Sequence, residues 1–316
     1  MKKSMILSVF ALVGSLLAAQ NSLVFAAGGV VDGNAPSAAV AALEKTLSAN
    51  IAVTGASHVA NGVALRNRTS GWIPLRGVPD GSTVEKALLY WNFSDTKVTG
   101  SVGSPALFNG NRVNGTKRAD NADPCWNMTG NHTYRANVTK YIPKDNPNQD
   151  YEVVILFNGA TSTTGQHPWS PTETQNIRLD GATLVVIYSN ESTTGKIVRI
   201  YDGLSGSEFS GGVATFTLTH AATSGSGLFT MSGADGQRGA GHDNNSTVSN
   251  EITTFNGTQI AGPLVAASDW DGSTGLPLPQ LWDVHTHTVT LSGTSSVVEY
   301  TAGTDCLVPV VFILEK

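Results

Sequence analysis

Short apolar runs separated by turn residues make up the chain beyond about residue 51. The runs are rich in Val, Ile, Thr, Tyr and Phe and are bounded by Gly, Asn, Asp and Pro, which is the pattern of β-strands joined by turns. Helical periodicity is nearly absent, so the pattern predicts an all-β body. The clearest strand candidates are Val84–Phe93, Tyr151–Phe157, Ala182–Tyr188, Lys196–Tyr201, Val213–Leu218, Val284–Leu291, Val297–Tyr300 and Leu307–Leu314.

One stretch ahead of this body follows a different period. Between Pro36 and Ala49, the apolar residues Val40, Leu43 and Leu47 recur at helical spacing. Pro36 suits a first helical turn, where its missing N–H costs nothing. The stretch therefore predicts one short N-terminal helix.

An eight-residue pattern, F-N-G-x-x-[V/I]-x-G, occurs twice in the chain. It begins at Phe108 and again at Phe255, and each copy is followed by an aromatic-led segment, Tyr134–Thr139 or Trp282–His287. Each copy then runs into a pair of strands. The Asn-Gly steps favour tight hairpin turns, and a repeat of this length predicts two similar β-sandwich units in tandem.

The order of hairpin, Y-x-x-x-V-T segment and Y-x-V-x-I strand resembles the galactose-binding-like jelly rolls attached to many secreted glycoside-active enzymes. Four stretches also resemble uncharacterised domains of bacterial and archaeal surface proteins: Val84–Trp91, Asp123–Trp126, Gly181–Ser189 and Ile200–Gly203. The resemblance covers about residues 60 to 316 and implies a tandem jelly-roll fold. Such sandwiches carry ligand binding, adhesion and scaffolding alike, so the resemblance selects no activity.

The first residues have the features of a secretory signal peptide. Lys2 and Lys3 precede the apolar run Met5–Ala19, and small residues favour cleavage after Ala26. The run is shorter than the roughly 20 residues that cross a bilayer. We therefore expect a mature chain without a transmembrane segment, either secreted or held at the cell surface. The predicted organisation is a signal peptide at 1–26, an N-terminal segment with the helix at 27–60, and jelly-roll-like sandwiches at 61–205 and 206–316.

Charge and composition narrow the class of partner. Lys and Arg number 19 against 24 Asp and Glu, which gives a formal net charge of -5, and the basic residues form no cluster. Nucleic-acid binding requires a basic face, so nucleic acid is not expected as a partner. A glycan or a cell-surface component fits better, and self-association stays open.

Cys125 and Cys306 are the two cysteines of the chain. An even number in an exported protein favours a disulfide, although two buried free thiols remain the alternative. The cysteines fall in different copies of the repeat, so we predict that the bond joins the two sandwiches. Closing a loop of this length removes on the order of 5 kcal/mol of denatured-state entropy.

The segment from Trp282 to His287 is a candidate metal site. Strand period places Asp283, His285 and His287 on one face, with Trp282 and Val284 on the other. Two imidazoles and a carboxylate can bind zinc or a similar ion, with His242 or Asp243 completing the shell. The alternative is that only the apolar face is buried and the three polar residues lie in water.

A second candidate is the loop that contains Asp269, Asp271 and Gly272. Its closely spaced carboxylates and glycine turn are typical of calcium loops, and Asp235-Gly236 is a further stretch that could approach it. The full EF-hand register is missing, and an Asx-type turn is the alternative. Structural calcium is the cofactor that this loop suggests.

Tryptophans in polar, loop-like surroundings are candidate platforms for carbohydrate. Loop context selects Trp126, Trp169 and Trp270, each near Asn, Asp or other hydrogen-bonding residues. Strand context instead assigns Trp72, Trp91 and Trp282 to the core.

No complete catalytic constellation is present in the sequence. No motif pairs two carboxylates for glycoside hydrolysis, and G-x-S-x-G does not occur. The sequence thus favours a non-catalytic secreted or surface protein that binds carbohydrate or another surface, or a structural matrix component. The alternative is an extracellular hydrolase that acts on glycans or cell wall and depends on a metal or on carboxylates.

Overall fold

The computed structural model describes residues 42–65, 68–95, 105–123, 128–157, 177–236, 251–263, 265, 268–272, 274 and 282–316. Over these ranges the chain forms sixteen strands and two short 3-10 helices, Thr139–Tyr141 and Glu191–Thr193, so the prediction of an all-β body is confirmed. The strands are β1 (Leu43–Ser48), β2 (Ile51–Thr54), β3 (Ser57–Ala64), β4 (Ser70–Pro74), β5 (Thr83–Asp95), β6 (Pro105–Phe108), β7 (Asn111–Asn114), β8 (Thr116–Asp123), β9 (Met128–Asn137), β10 (Asp150–Ile155), β11 (Ile177–Ser189), β12 (Ile197–Tyr201), β13 (Phe209–Ala234), β14 (Ile252–Phe255), β15 (Thr258–Ala261) and β16 (Trp282–Glu315).

The strands form three sheets. The outer sheet has the order β4-β10-β6-β7, and the middle sheet has the order β3-β11-β5-β9-β8. The curled sheet has the order β1-β13-β16-β12-β2, with β14 on β16 and β15 on β14. Among the described pairs, β1 with β13 is parallel and the others are antiparallel.

The middle sheet is buried on both faces. Along β5, Leu89 and Trp91 pack into a core shared with the outer sheet, whereas Leu88 and Tyr90 pack into a core shared with the curled sheet. A strand covered on both faces has no polar side, which explains the nearly continuous apolar run of 87–91. The stacked sheets therefore form one series of packed layers.

The curled sheet bends over a core of its own. β13 and β16 pair along a long ribbon from Phe209 with Leu307 to Ala234 with Trp282. The ring of Phe216, in the first half of β13, lies 5.1 Å from that of Phe312, which pairs with the second half. The two halves of the ribbon thus face each other, and the start of β16 lies beside the end of β13.

Both predicted Asn-Gly hairpins are confirmed. Asn109 and Gly110 have φ values of 45° and 73° between β6 and β7, and Asn256 and Gly257 have 49° and 75° between β14 and β15. Positive φ at both central residues is what a two-residue type I′ hairpin requires. The tandem jelly-roll topology and the domain boundaries stay predictions.

The predicted N-terminal helix is wrong over its described part. Residues Leu43–Ser48 form strand β1, which pairs in parallel with Ala214–Thr219 of β13. Leu43 and Leu47 share a face in either structure, because a spacing of four residues is compatible with a helix and also with a strand. Pairing with the edge of β13 selects the strand over the helix. Residues 36–41 lie outside the described ranges.

Two further expectations meet the structure only in part. No free cysteine occurs among the described residues, but Cys125 is not one of them, so its bond with Cys306 stays a prediction. In the same ranges, no helix has the length and apolarity that would let it cross a membrane.

Candidate metal centre

The first residues of β16 carry the predicted polar face. Trp282 is fully buried against the middle sheet, and Val284 packs against the same core. Asp283, His285 and His287 point to the opposite side, as strand period predicts. Asp283 is 0% exposed, so the alternative that these residues lie in water is wrong for the carboxylate.

The structure brings all five predicted metal-binding residues together. Nε2 of His285 lies 3.4 Å from Oδ1 of Asp283 and 3.8 Å from Oδ1 of Asp271. One possible ligand atom from each of these three side chains lies within 4.8 Å of the other two. Beside them, Nε2 of His287 lies 2.5 Å from Oδ1 of Asp269. Two segments separated in sequence thus form one centre.

The loop 268–272 is held so that both of its carboxylates face β16. The Ser268 hydroxyl accepts a hydrogen bond from the Trp270 N–H at 3.1 Å, and the Gly272 N–H donates to Oδ2 of Asp283 at 3.1 Å. The indole of Trp270 is fully buried and packs edge-on against Tyr300, with ring centroids 5.3 Å apart. The tryptophan anchors the loop in the core of the curled sheet. Asp269 and Asp271, on either side of it, are buried beside β16.

The structure corrects the sequence-based assignment of tryptophans. Trp270 is buried, so its prediction as a carbohydrate platform is wrong; its apolar ring fills the core while only its neighbours are polar. Trp126 and Trp169 lie outside the described residues. Trp72, assigned to the core, is 59% exposed, because its strand is covered on one face only.

Two further residues, Glu251 and Gly236, lie at the centre, and of these Glu251 has no signal in the sequence patterns. Glu251, just before β14, is 6% exposed, and its burial, with the charges of Asp283 and Asp271, raises its pKa to about 7. At Gly236 a Cβ would lie 2.6 Å from Oδ2 of Asp283 and from the Trp270 backbone, so only glycine fits there. The Asp235-Gly236 stretch therefore does approach the loop, whereas His242 and Asp243 lie outside the described residues.

Negative charge dominates the centre. Burial raises the pKa of Asp283 to about 7, with a further contribution from the charge of Asp271, although the hydrogen bond with His285 lowers it. Burial lowers the pKa of His285, but its hydrogen bond with Asp283 and the charges of Asp283, Asp269 and Asp271 outweigh this and raise it to about 9. The raised pKa values reflect burial and the crowding of carboxylates, and a bound cation would relieve the same repulsion.

Several buried polar atoms around the centre have no hydrogen-bond partner among the described residues. They are Oε2 of Glu251, Oδ2 of Asp269, Nε1 of Trp270 and the hydroxyl of Tyr300. Buried polar atoms are nearly always satisfied in proteins, and a group of exceptions indicates an ion or ordered water. The unsatisfied carboxylate oxygens fit a bound cation.

The donor set discriminates between kinds of ion. Calcium prefers an all-oxygen shell, whereas an imidazole beside carboxylates suits zinc and other transition metals. His285 belongs to the tightest group of donors, which favours a transition metal over the expected calcium. The side chains of His285 and His287 are 22% and 18% exposed, while Asp269, Asp271 and Asp283 are 3% exposed or less. The imidazoles therefore form the opening of the centre to solvent.

Comparison with known proteins gives a family but no activity. A family model described as "Protein of unknown function (DUF3344)" matches residues 41–315. No curated protein matches the chain. Two crystal structures of BuGH86, wild type and variant, each in complex with neoagarooctaose, are similar at 8% identity and a TM-score of 0.18. The match covers 84% of this chain and 33% of that chain, so this chain spans about a third of that protein's length.

Proposed function

We propose that this chain, which belongs to the family described as "Protein of unknown function (DUF3344)", binds a divalent transition metal ion. The family brings no activity with it, so the proposal is drawn from the site. The protein acts outside the cytoplasm as a non-catalytic binding protein. The observation that carries the proposal is the convergence of Asp271, Asp283 and His285 within 4.8 Å in a buried, acidic centre. The signal-peptide pattern supports the compartment.

Asp271, Asp283 and His285 would supply the protein's ligands. A divalent ion would offset the repulsion among the carboxylates of the centre. Asp269 accepts a hydrogen bond from His287 and fixes the orientation of that ring beside the ligands. Because the ion would bind both the loop 268–272 and β16, it would lock the loop to the sheet.

Three protein ligands leave room for an outside ligand. A tetrahedral ion with three protein donors keeps one position open, and solvent reaches the centre on the side of the partly exposed imidazoles. A carboxylate or hydroxyl group of an extracellular component could occupy that position. This is the basis for a binding role in which the metal contacts the ligand.

Metal analysis of purified protein tests the proposal. After dialysis against zinc and removal of free ions, we expect about one zinc per chain by elemental analysis, and a loss of at least tenfold in affinity for Asp283→Asn and His285→Ala. Asp145→Asn and His220→Ala are the matched controls, because they change the same residue types elsewhere and should keep the zinc. Wild-type protein with no more zinc than Asp283→Asn would contradict the proposal.

One observation favours hydrolysis as a second candidate function. The carboxylate of Asp269 lies 2.5 Å from the imidazole of His287, next to the residues that would hold the ion. An ion held there would lower the pKa of water, and an imidazole oriented by Asp269 would be placed to accept the proton. Zinc-loaded protein that releases sugars or peptides from cell-wall material, with loss of this activity but not of zinc in His287→Ala, would support the hydrolase. Absence of release across glycan and peptidoglycan substrates would leave the binding role.

A further inference from the structure

The outer face of the outer sheet carries an exposed indole. Trp72 lies on the edge strand β4, and its 59% exposure is the largest among the exposed large apolar side chains of the described residues. Its neighbour Ile73 is fully buried in the core beneath, so the alternation of the strand directs Trp72 outwards. The exposure follows from the register of β4 and is not the result of a frayed end.

The residues around Trp72 lie in two neighbouring rows on the same face of the sheet. Glu152 of β10 lies directly opposite Trp72. In the next row across the sheet, Val154 of β10 pairs with Leu107 of β6, which pairs with Arg112 of β7. Val154 and Leu107 are half-buried and Arg112 is exposed. Neighbours of this kind lie about 5 to 8 Å apart, so the five side chains form one continuous surface.

We propose that this surface binds a glycan chain, with Trp72 as the stacking platform. The flat apolar face of a pyranose ring packs on an indole, and the sugar hydroxyls at its rim both donate and accept hydrogen bonds. Glu152 supplies an acceptor beside the platform, and Arg112 supplies donors across the sheet, beyond Val154 and Leu107. The opposite charges of Glu152 and Arg112 match a neutral ligand that carries many hydroxyl groups.

The surface fits a glycan better than a protein partner. A stable protein interface buries about 800 Å² on each side around an apolar centre. This face offers one indole and two half-buried aliphatic side chains, with one charged group at Trp72 and another at the far end, which is the scale of a few sugar rings. The inference rests on the proposed binding role and names its ligand class, but it does not depend on the metal centre.

The surface is rigid, which favours binding to a preformed platform. Strand β4 pairs with β10 along all five of its residues. At Gly71 a Cβ would lie 2.8 Å from side-chain atoms of Leu65 and of Val63, so β4 is pressed closely against the layer beneath. The Glu152 N–H donates to Oδ1 of Asn109 at 2.7 Å, which ties β10 to the hairpin of β6 and β7. Little ordering is needed on binding.

The test is a glycan array followed by titration calorimetry with the best-binding neutral oligosaccharide of at least four sugars. We expect Trp72→Ala to weaken binding at least tenfold, Trp72→Phe to retain part of it, and Glu152→Gln to weaken it severalfold. Val297→Ala is the control, because it removes another exposed apolar side chain on a different sheet and should bind as the wild type does. Trp72 is exposed, so its variants should keep the wild-type melting temperature.

The outcomes distinguish this proposal from the metal centre. Each titration is run with zinc and with a chelator, and binding that depends on Trp72 in both supports the glycan surface. Binding lost in chelator but unchanged in Trp72→Ala places the ligand at the metal centre and overturns the inference. No binding by wild-type protein on the array, or dimerisation in sedimentation that Trp72→Ala abolishes, also overturns it, while the zinc content of the protein is unaffected by either result.

Discussion

Two buried carboxylate–histidine groups lie at opposite ends of β16, and their surroundings differ. At its end, Glu315 accepts hydrogen bonds from the Ser57 hydroxyl at 2.9 Å, the His58 ring at 2.8 Å and the Lys196 ammonium at 3.1 Å. At its start, Asp283 accepts from the Gly272 N–H at 3.1 Å and faces His285 at 3.4 Å, with further carboxylates close by. Glu315 is surrounded by donors, whereas Asp283 has further carboxylates beside its donors.

The pKa values follow from this difference. Burial alone would raise the pKa of Glu315, but the hydrogen bond and charge of His58, with the bonds from Ser57 and Lys196, hold it at about 2. Burial raises the pKa of Asp283 to about 7, and its surroundings do not overcome the effect. The protein surrounds the first carboxylate with its own donors, whereas the second shares one imidazole with the neighbouring Asp271. Burial of a carboxylate beside histidine is therefore structural in one place and suited to a cation in the other.

The largest effect should come from breaking the group around Glu315. In Glu315→Gln the buried partners of the carboxylate lose its charge, and we expect the free energy of unfolding to fall by about 3 kcal/mol, as for other broken buried pairs. Urea denaturation measures it. Glu299→Gln, a half-buried position on the same strand, should change stability by less than about 1 kcal/mol. Equal urea midpoints for Glu315→Gln and wild type would remove the contrast between the two groups.

Lowering the pH should remove the stabilisation that ionised Glu315 provides. The pKa of Glu315 is lowered in the folded protein from 4.5 to about 2. A group whose pKa is lowered by folding stabilises the protein above its unfolded value and ceases to do so as the pH falls through the folded value. The stability difference between wild type and Glu315→Gln should be full above about pH 5 and nearly absent at about pH 2, with a change on the order of 3 kcal/mol. Urea midpoints across this range measure it, and a constant difference would contradict the assignment.

At Asp283, whether substitution stabilises or destabilises the protein should depend on the presence of metal. In chelator, Asp283→Asn should be more stable than wild type by about 1 to 2 kcal/mol, because it removes a charge from an excess of buried negative charge. With zinc at a hundredfold excess over its dissociation constant, wild type should gain about 3 kcal/mol that the variant lacks, and the order should reverse. Melting curves of both proteins in both conditions measure it. A variant less stable than wild type in chelator would make Asp283 a structural residue like Glu315.

Strand alternation accounts for the part of the fold and site that the sequence predicts. The apolar runs predict an all-β body, and the Asn-Gly steps predict both hairpins, because each depends on residues near in sequence. The same period places Asp283, His285 and His287 on one face. That Asp269 and Asp271 meet this face depends on the tertiary fold of the curled sheet, which no local pattern specifies.

The predictions that were wrong share a physical cause: whether another element packs over a residue depends on the tertiary fold. Leu43 and Leu47 have a spacing that serves both a helix and a strand, and a neighbouring strand edge decided the outcome. Trp72 and Trp270 exchanged their expected places, because one face of the outer sheet is left uncovered while a loop inserts its indole into a core. Glu251 carries no local signal, since only its burial beside Asp283 gives it a place in the centre.

The smallest effect should come from an ion pair with similar geometry at the surface. Arg76 and Asp150 lie 2.7 Å apart, about the distance between His58 and Glu315, but their side chains are 57% and 54% exposed. Water and salt screen such a pair, so Asp150→Asn should change the free energy of unfolding by less than about 0.5 kcal/mol in urea denaturation. A loss as large as that in Glu315→Gln would mean that distance, and not burial with complete hydrogen bonding, sets the contribution of these pairs. The contrast along β16 would then need another explanation.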